Sequence, residues 1–250
     1  MRFIRLLPIA VPVLIFVLLE AIIFYPRAFY FSLIISDLSL VYAVWQFRLK
    51  GFAAKTPWKL MLFPAVFLTG LAVYALMISN QPVLHILFLS DSIFLYLYLK
   101  NIYYYFLNQK LFQAKILKNI FLYGSFLSFF FMASSIYGLQ SFLNLSVPYL
   151  VLILLAAALL IIYQSIWDDR EPPLLYILII GLVIIEAGWG IFFLPVNYNV
   201  AGLALAIFYY ILINLTKLDI AGNLSRRFVK IYLLFGFFTI FLILLTARWR

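Results

Sequence analysis

Four carboxylates interrupt otherwise apolar stretches of this sequence: Glu20, Asp37, Asp91 and Glu186. An ionised group inside a bilayer costs at least about 2.5 to 3.5 kcal/mol, so each acid needs a partner, a proton or a water-filled cavity. Intramembrane acids of this kind commonly mark proton, ion or substrate pathways. These four residues therefore form the candidate proton, cation or substrate site.

Glu186 is the first choice among the four acids. It lies in the run Leu174 to Pro195, which is apolar elsewhere and about long enough to cross a bilayer at about 1.5 Å per residue. Gly188 and Gly190 remove side chains next to the acid, and Gly190 lies one helical turn further on the same face. These glycines are predicted helix-packing positions that let a neighbouring helix, water or small ligand approach Glu186.

A structural role for the same acids is the alternative. A protonated acid can hydrogen-bond between helices, and such bonds contribute about 0.6 kcal/mol on average in a membrane protein. Serines lie within two residues of both Asp37 and Asp91, so local partners exist. No lysine or arginine is predicted at the same depth, which disfavours an internal ion pair. Both interpretations remain open from the sequence.

The other motifs argue against an enzyme. The chain has no cysteine, and its one histidine, His85, lies about 120° around a helix from Asp91, so the two do not form a predicted metal pair. His85 is interpreted as a polar anchor near the outer interface. The H-E-x-x-H, G-x-S-x-G, P-loop and dinucleotide-binding signatures are absent. We therefore expect no catalytic residue, metal or cofactor.

Composition indicates that lipid is the solvent of this chain. Of its 250 residues, 68% are hydrophobic and 10% are charged, whereas soluble domains are about 45–50% apolar and about 25% charged. The net charge of +10 would suggest nucleic acid in a soluble protein, but the basic residues occupy short gaps between apolar runs. We expect contact with the lipid bilayer, with anionic lipid at the cytoplasmic face, and no nucleic-acid partner.

The elements that must position the acids are nine apolar runs. They predict an all-α, polytopic integral membrane helix bundle that forms a single transmembrane domain over residues 1–250, without a soluble domain. Turn and breaker residues such as Pro26, Asn80 and Pro195 separate the runs. The predicted spans are about 6–25, 28–47, 60–79, 83–99, 119–139, 147–166, 174–195, 199–216 and 231–247.

The distribution of basic residues predicts a cytoplasmic N-terminus. Of the 18 lysines and arginines, all but Arg27, Arg248 and Arg250 then fall on the cytoplasmic side. The first run is longer than a signal-peptide core and lacks a clear cleavage site, so we expect a retained first helix. The pattern is typical of a multi-pass protein of a bacterial inner membrane.

Two function classes follow. The favoured hypothesis is a small permease or ion-coupled carrier in which Glu186, Asp37 and Asp91 bind a proton or cation and Glu20 lines the outer vestibule. The alternative is a non-catalytic subunit or scaffold that binds another membrane protein. A membrane-embedded lipid-modifying enzyme is a third class, which the missing motifs disfavour.

Overall fold

Nine α-helices account for most of the chain in a computed structural model that describes residues 2–51, 57–108, 110–165 and 174–247. No strand occurs within those ranges. Each of the nine helices is long and apolar enough to cross a membrane. The predictions of an all-α fold and of nine candidate spans are therefore confirmed for the described residues, and they indicate a multi-pass membrane protein.

The helices follow the apolar runs but differ from them at their ends. The longest extension is in α4, which continues to Leu107, and α5 and α9 begin five residues earlier than predicted, at Ala114 and Arg226. The helix bounds are α1 Arg2–Phe24, α2 Phe29–Lys50, α3 Pro57–Ala75, α4 Gln81–Leu107, α5 Ala114–Leu143, α6 Val147–Ser165, α7 Leu174–Phe192, α8 Tyr198–Ile220 and α9 Arg226–Thr246.

Several helices begin at a polar side chain that caps their free N–H groups. The Asn80 side chain accepts a hydrogen bond from the Val83 amide ahead of α4, and Asn197 and Ser225 do the same for α8 and α9. Capping positions are thus encoded where the sequence predicts turns. Residues 166–173 and the tail cations Arg248 and Arg250 lie outside the described residues.

The chain divides into two compact units, Met1–Phe121 and Leu122–Arg250, with the division inside α5. In the first unit, α1 packs against α2 and α4, and α2 packs against α3 and α4. An aromatic cluster fills part of its core: the rings of Phe63 and Phe121, and those of Phe67 and Phe94, have centroids 4.5 Å apart. The prediction that residues 1–250 form a single transmembrane domain stays a prediction.

The second unit packs α7 between its chain neighbours, against α6 and α8. The Phe129 and Tyr209 rings stack with centroids 4.5 Å apart, which joins α5 to α8. Gly202 of α8 lies directly against the Ser134 backbone of α5. In contrast, α9 contributes one buried residue, Gly236, although every residue of this helix is described.

Candidate functional site

Glu20 is paired with the single histidine of the chain. It lies on the last turn of α1, and His85 lies on the second turn of α4, the helix against which α1 packs. The Glu20 Oε2 atom is 2.7 Å from His85 Nδ1, and Oε1 is 2.9 Å from the same nitrogen. The histidine side chain is 47% exposed and the glutamate side chain 17% exposed. This acid therefore has a partner, and its partner can carry a proton.

Asp37 has one satisfied carboxylate oxygen. The Thr69 hydroxyl of α3 donates a hydrogen bond to its Oδ2 atom over 3.3 Å. Its Oδ1 atom is buried without a hydrogen-bond partner among the described residues. Asp37 is half-buried on α2, so this second oxygen remains an open acceptor inside the first unit.

Asp91 is the most deeply buried of the four acids. It lies on α4 and is 2% exposed. Neither of its carboxylate oxygens has a hydrogen-bond partner among the residues that the structure describes. Burying an ionised carboxylate without a partner is very costly, so such a group holds a proton or approaches a cation. Asp91 is thus the acid whose burial the described residues compensate least.

Hydroxyl oxygens add to the unsatisfied acceptors of this unit. The Oγ atoms of Ser36 on α2 and Ser92 on α4 are also buried without a partner among the described residues, and α2 packs against α4. At about 1.5 Å per residue, Asp37 and Asp91 lie about 12 and about 15 Å from the first residues of their helices. The first unit therefore carries two acids and two hydroxyl groups with unused hydrogen-bonding capacity on neighbouring helices.

The structure places Glu186 differently from the other three acids. It belongs to the second unit, on the exposed side of α7, where the described residues provide it with neither a hydrogen bond nor an ion pair. Gly190 lies on the same side, and a Cβ atom added there would meet no atom within 4 Å. Glu20, Asp37 and Asp91 lie on helices α1, α2 and α4 of the first unit, whereas Glu186 lies in the second unit.

Gly188 is buried on the opposite side of α7. A Cβ atom at Gly188 would lie 2.6 Å from a Leu154 methyl group of α6 and 3.4 Å from Leu205 of α8. The Gly188 carbonyl accepts a hydrogen bond of 3.0 Å from the Tyr137 hydroxyl of α5. Gly188 thus fixes the packing of α7 within the unit, whereas Gly190 leaves the Glu186 side open.

Two polar contacts are not predictable from the sequence pattern. His85, the expected polar anchor near the outer interface, contacts Glu20, and Thr69 donates a hydrogen bond to Asp37. The sequence does contain one indication of the Glu20–His85 pair. Both residues lie about one turn from the same predicted membrane face, so their helices could bring them together. No group of three or more histidine, cysteine, aspartate or glutamate side chains able to hold a metal occurs among the described residues.

Taken with the fold, this arrangement defines a class: a multi-pass α-helical chain with acidic residues inside its candidate membrane spans. The chain belongs to a family described as protein of unknown function (DUF5656), whose match covers residues 45–246. The matched range includes Asp91 and Glu186, while Glu20 and Asp37 precede it. No curated protein and no solved structure matches the chain.

Proposed function

We propose that the protein is a carrier that moves protons or cations across a membrane, with Asp91 at the centre of its ion-binding site. In this proposal, helices α1 to α9 cross a cell membrane such as a bacterial inner membrane. The N-terminus of the protein faces the cytoplasm. The single observation that carries the proposal is Asp91, a fully buried acid with two oxygens that bind no described residue.

The neighbouring groups supply what a small cation needs. Carboxylate and hydroxyl oxygens are the ligands that hard cations prefer, and Asp37, Ser36 and Ser92 offer three such groups close in depth to Asp91. A proton makes smaller demands, since one carboxyl group can hold it. In this proposal Glu20 and the half-exposed His85 form the outer entrance.

Proton and cation flux in liposomes tests the proposal directly. The purified full-length chain is reconstituted with a pH-sensitive dye inside the vesicles, and H⁺ movement is followed under a pH gradient alone or with a Na⁺ or K⁺ gradient. We expect flux from the wild-type protein and its loss in Asp91→Asn, because the amide cannot exchange a proton or neutralise a cation.

Ser90→Ala is the matched control for this experiment. Ser90 is adjacent to Asp91 but exposed, and its hydroxyl donates to the Ile86 carbonyl of its own helix. Its flux should equal that of the wild-type protein. If Asp91→Asn transports as well as Ser90→Ala, Asp91 is not the ion-binding residue and the proposal fails.

The exposed position of Glu186 favours a second candidate, a subunit that binds another membrane protein. An acid on the lipid-facing side of a span is costly unless another helix supplies a donor or a cation, and the open space at Gly190 leaves room for a close helix. In this case α7 docks onto a partner span that carries a basic or hydrogen-bonding side chain.

The two candidates predict opposite patterns for two variants. If the protein is a subunit, Glu186→Gln should weaken association with a partner that co-purifies in mild detergent, as measured by native mass spectrometry, and Asp91→Asn should not. If it is a carrier, Asp91→Asn should stop flux, and Glu186→Gln should leave it intact. Retention of the full complex by Glu186→Gln would contradict the subunit proposal.

A further inference from the structure

An aromatic groove lies between α9 and the two helices beside it in the second unit. Gly236 brings α9 against Ile211 of α8. Both residues belong to the lining of a cavity of about 460 Å³. Its lining comes from α5, α8 and α9 and includes Phe126, Ile207, Tyr210, Tyr232, Phe235 and Thr239.

The groove suits a hydrocarbon chain. Its walls are almost entirely apolar, and the Thr239 hydroxyl is already used, since it donates to the Phe235 carbonyl over 2.7 Å. Pockets of about 300 to 1,000 Å³ with such walls hold small apolar ligands. A hydrocarbon chain is flexible and carries no polar group, so it can fill a cavity whose walls offer few hydrogen-bond partners.

Positive charge lies at one end of the groove. Arg226, Arg227 and Lys230 are all exposed on the first turns of α9. Arg226 and Lys230 line a second cavity of about 310 Å³. The α9 residues that line the aromatic groove begin at Ile231, so the three cations lie nearer than the groove to the start of α9.

The acid at the neighbouring helix end is already engaged. Asp219, on the last turn of α8, accepts a hydrogen bond of 2.7 Å from the Tyr176 hydroxyl of α7. The partial positive charge at the start of α9 adds to its three cations and favours an anionic group there. A phospholipid needs a cationic surface for its phosphate group and an apolar surface for its acyl chains, and α9 contributes to both.

We propose that this surface binds one anionic phospholipid of the surrounding leaflet. Its phosphate group contacts Arg226, Arg227 and Lys230, and one of its acyl chains occupies the groove between α5, α8 and α9. This inference is independent of the proposed carrier function, because none of its residues belongs to the acid-bearing helices α1, α2 and α4. The bound lipid fills the space that leaves α9 with a single buried residue.

Lipid binding is measured by native mass spectrometry of the full-length protein in detergent, titrated with phosphatidylglycerol or with phosphatidylcholine of the same chains. We expect one phosphatidylglycerol to bind more tightly than phosphatidylcholine. Replacing Arg226, Arg227 and Lys230 together by glutamine should remove this preference, since each basic residue near an anionic headgroup contributes about fivefold. The same replacements at Arg5, Lys50 and Lys110, which are also exposed and lie outside α5, α8 and α9, provide the charge-matched control.

The groove is tested separately with two tryptophan variants of α9. Thr239→Trp places a large side chain in the groove and should lower the bound fraction of both lipids. Leu234→Trp adds the same side chain outside the groove lining, at a residue that is 73% exposed. This variant should bind lipid as the wild-type protein does. The gel-filtration profile of each variant shows whether it remains folded.

Three results would overturn the proposal. Equal affinity of the wild-type protein for the two lipids would remove the role of charge. Equal loss from the Arg5, Lys50 and Lys110 control would indicate general attraction to a basic protein. A homodimer that forms without lipid and dissociates in Thr239→Trp would show that a second copy occupies the groove.

Discussion

Asp91 combines complete burial with two unsatisfied oxygens, and this combination has a cost in stability. A buried polar group without a partner costs about 1 to 3 kcal/mol. We therefore expect Asp91→Val to raise the free energy of unfolding by about that amount, because valine replaces an unsatisfied carboxylate with apolar atoms. Thermal or denaturant unfolding in detergent, without added salts of candidate cations, measures the change.

Asn101→Val on the same helix is the matched control for this prediction. Asn101 is also buried, but its amide donates to the Leu97 carbonyl over 2.7 Å. Its replacement removes a hydrogen bond worth about 1 kcal/mol and should not stabilise the protein. A larger destabilisation by Asp91→Val than by Asn101→Val would mean that Asp91 holds a ligand that supports the fold.

At the residue scale, the sequence identifies the acids but not their surroundings. Each acid stands out because it interrupts an apolar run, which requires no knowledge of the fold. The partner of Glu20, however, is 65 positions away along the chain, and helix rotation decides whether an acid faces a neighbour or the outside. That rotation separates Asp91 from Glu186, and the apolar residues surrounding each acid do not encode it clearly.

At the scale of elements, the glycines differ in what a side chain would meet. A Cβ atom at Gly202 of α8 would lie 2.7 Å from the Ser134 Cα atom of α5, and backbone cannot move aside as a side chain can. We expect Gly202→Ala to lower the unfolding free energy by about 1 to 3 kcal/mol. The change in unfolding midpoint in detergent measures this effect.

Gly190→Ala on α7 is the opposite case and serves as the control. No atom lies within 4 Å of the position that its Cβ atom would take, so alanine should stabilise the helix by about 0.5 to 1 kcal/mol. If Gly190→Ala instead disrupts a complex from native membranes, the open side of α7 is a contact surface. Equal effects of the two variants would contradict the packing described for Gly202.

Helices as elements are predictable here because a membrane span needs about 20 apolar residues, and the sequence supplies nine such runs separated by breakers. Their ends are less predictable. The extension of α4 through Lys100 to Leu107 contains tyrosines and an asparagine, which lower its hydropathy without interrupting the helix. Packing of Tyr98, Ile102 and Phe106, all fully buried, sustains the helix beyond the apolar run.

At the scale of the whole molecule, the proposed orientation has a consequence for two loops. Three candidate spans, α6, α7 and α8, separate Asn144 from Asn223. If all three cross the membrane, these exposed residues lie on opposite sides, with Asn144 outside because the basic residues concentrate on the other side. The chain contains no cysteine, so a single introduced cysteine reports on one position alone.

We expect a membrane-impermeant maleimide to label Asn144→Cys in intact cells and Asn223→Cys only after the membrane is opened. A cysteine at Leu182, within α7 and exposed on its apolar side, is the control and should resist labelling in both conditions because lipid covers it. Labelling of both loop cysteines from the same side would require one of the three helices not to cross. Labelling of Asn223→Cys alone in intact cells would reverse the orientation, so the basic loops would face outward and the proposed phospholipid would belong to the outer leaflet.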